Sequence, residues 1–263
     1  MNENKVGLEA EFFVLKDGEL VYPANYGFGT DDFVLLGEIR AKPGKNRAET
    51  ISNFLNVWYQ AVRKANVQGL VLDISGYKQL SPEKYSEVMR KVGTKSIATC
   101  KNIYPGVDLL QFSDAVVEDG KLLQYNTSAG FHIHFSSEVT REHCYTVCGD
   151  RYEPVNIPLM MNGTNLAEMS FYQKIAGEDI KKETTVRASR LTKPDVSYIV
   201  KTLDEKLLPG YSLDVPLKYR QPGFYEIKTH GFEYRSLPYT RTILDDIYVI
   251  VDTAYGLLEG LSL

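Results

Sequence analysis

Two hydrophobic periods alternate along this chain. In G-L-E-A-E-F-F-V, V-L-L-G-E-I-R-A, F-H-I-H-F and G-F-E-Y-R-S-L-P, apolar and ionisable positions change places every second residue. A period of two belongs to a β-strand with one face on a core. Each segment therefore predicts a short strand carrying an ionisable pair at i, i+2: Glu9/Glu11, Glu38/Arg40, His132/His134 and Glu233/Arg235. The first strand spans Val6–Leu15, ends at the hairpin signal Asp17-Gly18 and returns through Glu19–Tyr22. Asn25–Asp32 reads as a Gly-rich turn and Phe33–Ala41 as the Glu38/Arg40 strand. Asn126–Ser136 reads as a loop running into the strand that carries the histidines.

Between these strands the period lengthens to that of a helix. Ile51, Phe54, Leu55, Trp58, Val62 and Ala65 form one apolar stripe, opened by Asn46 with Glu49 three residues on, a capping-box pattern. Gly69 closes that helix, and Leu70–Ile74 predicts an apolar strand. Ser81-Pro82-Glu83 and Lys193-Pro194-Asp195 open two more helices; the second carries Val196, Ile199, Val200, Leu203 and Leu207 and stops at Pro209-Gly210. Residues 93–113 read as irregular. Ala115–Val117 and Leu122–Tyr125 flank Asp119-Gly120 as a hairpin, and Asn162-Gly163 marks a turn. Asn165–Ala176 predicts a helix, and the polar Gly177–Arg190, with Arg187 and Arg190 at its end, a surface loop or flap. Residues 217–237 are strand-like around a His230-Gly231 turn, and Thr240 caps a last apolar helix. Hairpins interleaved irregularly with helices indicate an α+β domain, a mostly antiparallel sheet with helices on one face. Residues 1–263 contain no repeat, linker or low-complexity tract and read as one domain.

Composition narrows the function classes. At 43% hydrophobic and 24% charged, the chain has the makeup of a soluble globular protein. A net charge of −4 argues against a nonspecific nucleic-acid binder. Of three cysteines, Cys144 and Cys148 lack a second ligand pair nearby, which favours reduced thiols in a cytoplasmic protein over a zinc site. The start, M-N-E-N-K, has no signal-peptide profile. Asp245, Asp246 and Asp252 interrupt the most apolar helix, so no segment reads as spanning a membrane.

If the four paired strands share a sheet, one face collects carboxylates, imidazoles and guanidiniums, and charges there must be paired or hold a metal. Carboxylate with imidazole suits a hard or borderline divalent cation, and arginine forks suit phosphate or carboxylate. Together they form the layout of phosphoryl transfer, in which the protein supplies positioning and charge neutralisation. No G-x-x-x-x-G-K-[ST] is present, which excludes a P-loop.

Glu9-x-Glu11, N-T-S-A-G-F-H-I-H-F-S and F-E-Y-R-S, in this order, resemble the glutamine synthetase-like superfamily. They are most similar to its phage COOH–NH2 ligase type 2 family of small carboxylate–amine ligases. The resemblance runs over roughly residues 5–240 as separate islands. It implies a glutamine synthetase-like catalytic domain with a curved antiparallel sheet. It further implies an ATP-dependent ligase that joins a carboxylate to an amine through an acyl phosphate, using Mg²⁺ or Mn²⁺. By the same resemblance Glu9, Glu11, His132 and Glu233 would ligate two metals, with Glu38 a further ligand. Arg235 would touch the transferring phosphoryl group, with Glu9 and Glu233 also at the catalytic centre. Arg220, Lys228, Arg40 and His134 would lie along the nucleotide. The implied substrates are an amino acid or peptide carboxylate and an amine, with no nucleic-acid or membrane partner; a homo-oligomer is left open. Three alternatives stand beside it: a phosphagen-type kinase, a metal-dependent hydrolase of an amide or phosphate, and a non-catalytic binding protein on the same sheet.

Overall fold

The computed structural model of the chain describes residues 3–30, 33–92, 115–118, 121–147, 157–161, 165–169, 180–211, 213, 220–228 and 230–261. Glu3–Lys16 (β1) turns at Asp17-Gly18 into Glu19–Val21 (β2). Both turn residues have positive φ, 52° and 85°, which fits the tight turn that a twisted hairpin favours. A short 3-10 helix, Pro23–Tyr26, leads to Gly29–Thr30 (β3) and Leu36–Arg40 (β4). The helix Arg47–Val67 (α1) starts where the Asn46 side chain accepts the Glu49 N–H at 2.9 Å. Then follow Leu70–Asp73 (β5), Tyr77–Leu80 (β6), Pro82–Val92 (α2), Ala115–Glu118 (β7), Lys121–Ser128 (β8) and Gly130–Val147 (β9). Ile157–Met161 (β10), Asn165–Met169 (β11) and Ile180–Thr192 (β12) lead into Lys193–Lys206 (α3) and the short Leu208–Tyr211 (α4). The chain closes with Tyr225–Lys228 (β13), Gly231–Pro238 (β14), Arg241–Asp245 (α5) and Ile247–Glu259 (α6).

The architecture is α+β, with a mostly antiparallel curved sheet. β1 is its axis. Glu9 pairs with Arg40 of β4 on one side and with His132 of β9 on the other. β9 in turn pairs with β14, placing Glu233 opposite His134, and β14 pairs with β13, placing Glu226 opposite Glu233. The order β4-β1-β9-β14-β13 therefore brings all four predicted ionisable pairs onto adjacent strands. β6, β8 and β7 form a separate three-stranded sheet.

Alternation puts Val6, Leu8, Ala10 and Phe12 of β1, Phe131, Ile133 and Phe135 of β9, and Phe232 and Tyr234 of β14 in one buried core. α1, α3 and α6 cover that face with Phe54, Trp58, Ile199, Leu203, Ile250 and Val251. Aromatic rings lock the layers edge to face: Phe12 on Trp58 at 6.0 Å, Phe54 on Phe131 at 5.5 Å and Trp58 on Tyr239 at 5.5 Å.

Four local expectations change. Asn126–Ser128 is the end of strand β8, paired with Gln79–Tyr77 of β6, and not a loop. Residues 165–169 form strand β11 instead of the start of a helix, because β10 and β12 flank that segment and supply its backbone partners. Residues 180–190 belong to β12 and are no flap. Residues 180–189 pair along Glu138–Val147 of β9, and a ladder needs only backbone groups, so polar side chains do not prevent it. The last helix is two, α5 and α6, broken at Asp246, whose carboxylate accepts from the Tyr211 hydroxyl at 3.2 Å. Cys100, Cys148, the Asp119-Gly120 and Asn162-Gly163 turns and residues 93–114 and 170–179 lie outside the described residues. Among the described residues no helix is long and apolar enough to cross a membrane.

Thr192 caps α3 with a reciprocal box: its side chain accepts the Asp195 N–H, and Asp195 accepts the Thr192 N–H at 2.8 Å. We expect Thr192→Ala to lower stability by about 1 kcal/mol in urea denaturation and Thr192→Ser to restore most of it.

Candidate functional site

The face of the sheet turned away from the helices carries a linked set of ionisable side chains in two tiers. The inner tier is Glu11, Arg220 and His132, all buried. Arg220 Nη2 donates to Glu11 Oε2 at 2.6 Å, Nη1 to the Arg235 carbonyl at 2.9 Å and Nε to Ser128 Oγ at 3.2 Å. Glu11 Oε2 also accepts the Gly130 N–H at 2.6 Å. Gly130 is needed here: a Cβ would lie 2.2 Å from Arg220 Nη2. The loop that delivers Arg220 is held from behind. Asp204 of α3 accepts the Gly223 N–H at 2.8 Å and the Tyr234 hydroxyl at 2.7 Å, and Ser236 accepts the Phe224 N–H at 3.2 Å.

His132 lies beneath the outer tier. Its Nδ1 is 3.0 Å from Glu9 Oε1 and 2.9 Å from Glu233 Oε1, and its Nε2 is 2.9 Å from Arg220 Nη1 and 3.8 Å from Glu11 Oε1. Burial opposes charge on this ring, but Glu11 and Glu233 outweigh it and raise the pKa to about 9. The Arg220 contact alone suits a neutral ring, since a guanidinium only donates. Glu11 already neutralises that guanidinium, so the carboxylates set the direction.

The outer tier opens to solvent through Arg40 and, in part, Lys228, while Glu9, Glu233 and Arg235 are buried. Glu9 Oε2 is 2.8 Å from Arg40 Nε and 3.4 Å from His134 Nε2, and Arg40 also pairs with Glu38. Glu233 Oε2 is 2.9 Å from Lys228 Nζ, and Glu233 Oε1 is 3.4 Å from Arg235 Nε. Glu226 joins Lys228 at 3.0 Å and Arg235 Nη1 at 2.8 Å. Burial would raise the Glu9 and Glu233 pKa values, yet hydrogen bonds from His132 and His134 hold Glu9 far below the ordinary range. The charges of His132 and Arg235 do the same for Glu233. His230 sits in the β13–β14 turn with its ring 5.9 Å from that of His134. Burial, then the neighbouring His134 and Lys228, lower its pKa to about 4, so it is neutral at pH 7.

Glu9, His134 and Glu233 offer donor atoms that all lie within 4.8 Å of one another. Ligands on opposite sides of a Mg²⁺ are about 4.2 Å apart, so a slight closure of these side chains fits one divalent cation. Two carboxylates and an imidazole are also the right chemistry for it. Of the five residues expected as ligands, Glu9 and Glu233 stand in this group. His132 and Glu11 lie one tier below, held by each other and by Arg220, and Glu38 is turned to Arg40. His134, expected beside the nucleotide, is the imidazole of the group. Arg220, also expected there, points inward onto Glu11, whereas Arg40, Lys228 and Arg235 rim the group. Sequence reading missed Glu226, although Y-E-I-K repeats the i, i+2 pattern as Glu226/Lys228. Nothing in the sequence marks Ser128 or Asp204.

Removing either partner of the inner ion pair strands a buried charge. Arg220→Met and Glu11→Gln should each cost about 3–5 kcal/mol in chemical denaturation, and the double variant should cost less than their sum. Glu9 and Glu233 have lowered folded pKa values, so their contribution is present above the unfolded value of 4.5 and lost as the pH falls below it. A stability profile between about pH 5 and pH 2 should therefore slope steeply in the wild type and flatten in Glu9→Gln and Glu233→Gln.

Comparison with protein-family models, with curated proteins and with solved structures finds no match to this chain.

Proposed function

We propose that the chain is an ATP-dependent carboxylate–amine ligase whose working face is the outer tier. The observation that carries this reading is one cation-fitting group, Glu9, His134 and Glu233, rimmed by Arg40, Lys228 and Arg235 on adjacent antiparallel strands. The order of motifs that resembles the carboxylate–amine ligases supports it, because the residues of those motifs are the ones the sheet brings together.

Charge explains why a cation and a nucleotide would act jointly. The linked network contains Glu9, Glu11, Glu38, Glu226 and Glu233 against Arg40, Arg220, Lys228 and Arg235. Five carboxylates and four permanent cations give no surplus positive charge for a triphosphate. Each rim cation is also already paired. A divalent ion held by Glu9, His134 and Glu233 would supply that surplus and polarise the phosphoryl oxygens. Arg40, exposed at the end of β4, can then turn its outer nitrogens to phosphate oxygens while keeping Glu38. Arg235, fixed by Glu226, would hold the γ-phosphoryl group for in-line attack.

In the reaction the substrate carboxylate oxygen bonds to the γ-phosphorus as the bond to ADP breaks, giving an acyl phosphate and ADP. The amine nitrogen then bonds to the acyl carbon, loses a proton, and inorganic phosphate leaves. The protein's part is placement and neutralisation, and the rigid inner tier holds the rim residues to the geometry that this requires.

Thermal unfolding with Mg²⁺, with ATP and with both separates the readings. Both together should raise stability by about 2.7 kcal/mol at a hundredfold excess over Kd, an increase of roughly 5–10 °C. ATP alone should add little, and Glu9→Gln and Glu233→Gln should lose the joint effect. Stabilisation by metal with nothing added by ATP would overturn the ligase in favour of the hydrolase. No effect of either would leave the binding protein.

A further inference from the structure

Glu226 and Glu233 stand directly opposite each other on β13 and β14. Like charges in that position repel. Lys228 resolves the conflict: its Nζ lies 3.0 Å from Glu226 Oε1 and 2.9 Å from Glu233 Oε2. Burial acts against the ammonium, but Glu233 and Glu226 hold it charged and raise its pKa. The same Glu233 belongs to the cation-fitting group, and Glu226 carries no part of that group. Lys228 therefore bridges a carboxylate that a divalent ion would take and one that it would leave.

We propose that Lys228 is an exchangeable counter-ion: a divalent cation enters by displacing its ammonium from Glu233, and Glu226 keeps the displaced ammonium at the rim. This rests on the reading of Glu9, His134 and Glu233 as a cation site. The residue type fits the task. A lysine is a point charge with rotatable donors on a flexible stem, so Nζ can pivot off Glu233 without leaving Glu226. Arg220 and Arg235 cannot exchange so simply. Arg220 is held by Glu11, Ser128 and the Arg235 carbonyl, and Arg235 by Glu226 and Glu233. A dication and an ammonium on one carboxylate repel, so each weakens the other's hold on Glu233. After exchange, Lys228 and Arg235 share Glu226, leaving two positive charges on one carboxylate. That surplus faces whatever anion the bound cation attracts, so cation entry primes the rim for an anionic ligand. Glu226 is thus a positioning residue, acting through Lys228 and Arg235.

Mn²⁺ titration of the whole chain, following free Mn²⁺ by electron paramagnetic resonance and the bound state by thermal stability, tests this without any turnover. Lys228→Met removes the competitor and should tighten Mn²⁺ binding about two- to fivefold, the range of a partly exposed ion pair. Lys228→Arg keeps the charge and should not tighten it. Glu226→Gln leaves Lys228 only Glu233 to pair with and should weaken Mn²⁺ about threefold or more. Lys78→Met, which removes an equal charge from the Asp73 pair at the small sheet, should leave Mn²⁺ affinity unchanged. The exchange is overturned if Lys228→Met binds Mn²⁺ no more tightly than the wild type, or if Lys78→Met tightens it equally. Glu233→Gln tests the underlying cation site separately: Mn²⁺ affinity retained there refutes the site itself, whatever Lys228 does.

Discussion

A carboxylate and a guanidinium buried together, Glu11 and Arg220, underlie the charged face of the sheet. Taking two charges out of water is costly unless geometry and further hydrogen bonds compensate. Here they do: Gly130, Ser128 and the Arg235 carbonyl complete the partners of the pair. The interaction ties β1, the end of β8, the start of β9, β14 and the segment after residue 219 into one unit. It also explains the side-chain-free position at Gly130, where any Cβ would fall onto the guanidinium. Behind it, Asp204 and Ser236 anchor residues 221–224 to α3 and β14, so that Arg220 is aimed by two elements at once.

Above this fixed layer the outer carboxylates have partners that can be changed. Arg40 is exposed and Lys228 only partly covered, whereas Glu9 and Glu233 are buried. Exposed or half-exposed cations thus lie over buried carboxylates on this face. His132 joins the tiers, since its Nδ1 reaches both outer carboxylates and its Nε2 reaches Arg220.

The opposite face supplies the stiffness. Aromatic rings from α1, β1, β9 and the residue after β14 interlock at 5.5–6.0 Å, and the same strands that present Glu9, His132 and Glu233 send Leu8, Phe131 and Phe232 into this core. A one-residue slip of any strand would bury its charges against the helices. The hydrophobic core therefore sets the registration of the charged face, and the two faces cannot vary independently.

Much of this was legible in the chain. Period-two alternation alone specified which residues share a face, because side chains of a strand must alternate. It located Glu9, Glu11, Glu38, Arg40, His132, His134, Glu233 and Arg235, and helical spacing located the cover. The cap at Asn46 and the turns at Asp17-Gly18 and His230-Gly231 are local chemistry and read directly. What depended on distant partners did not. Residues 165–169 and 180–190 became strands because other strands lie beside them, and backbone pairing leaves little trace in side-chain type. Which histidine stands in the cation group, and that Arg220 turns inward, follow from depth in the sheet, and depth is a property of the assembled strands. Sequence alternation named most of the ionisable residues on this face, though not Glu226; only the tertiary structure decided which of them face each other and how deep each lies, because depth and pairing depend on strands distant in sequence.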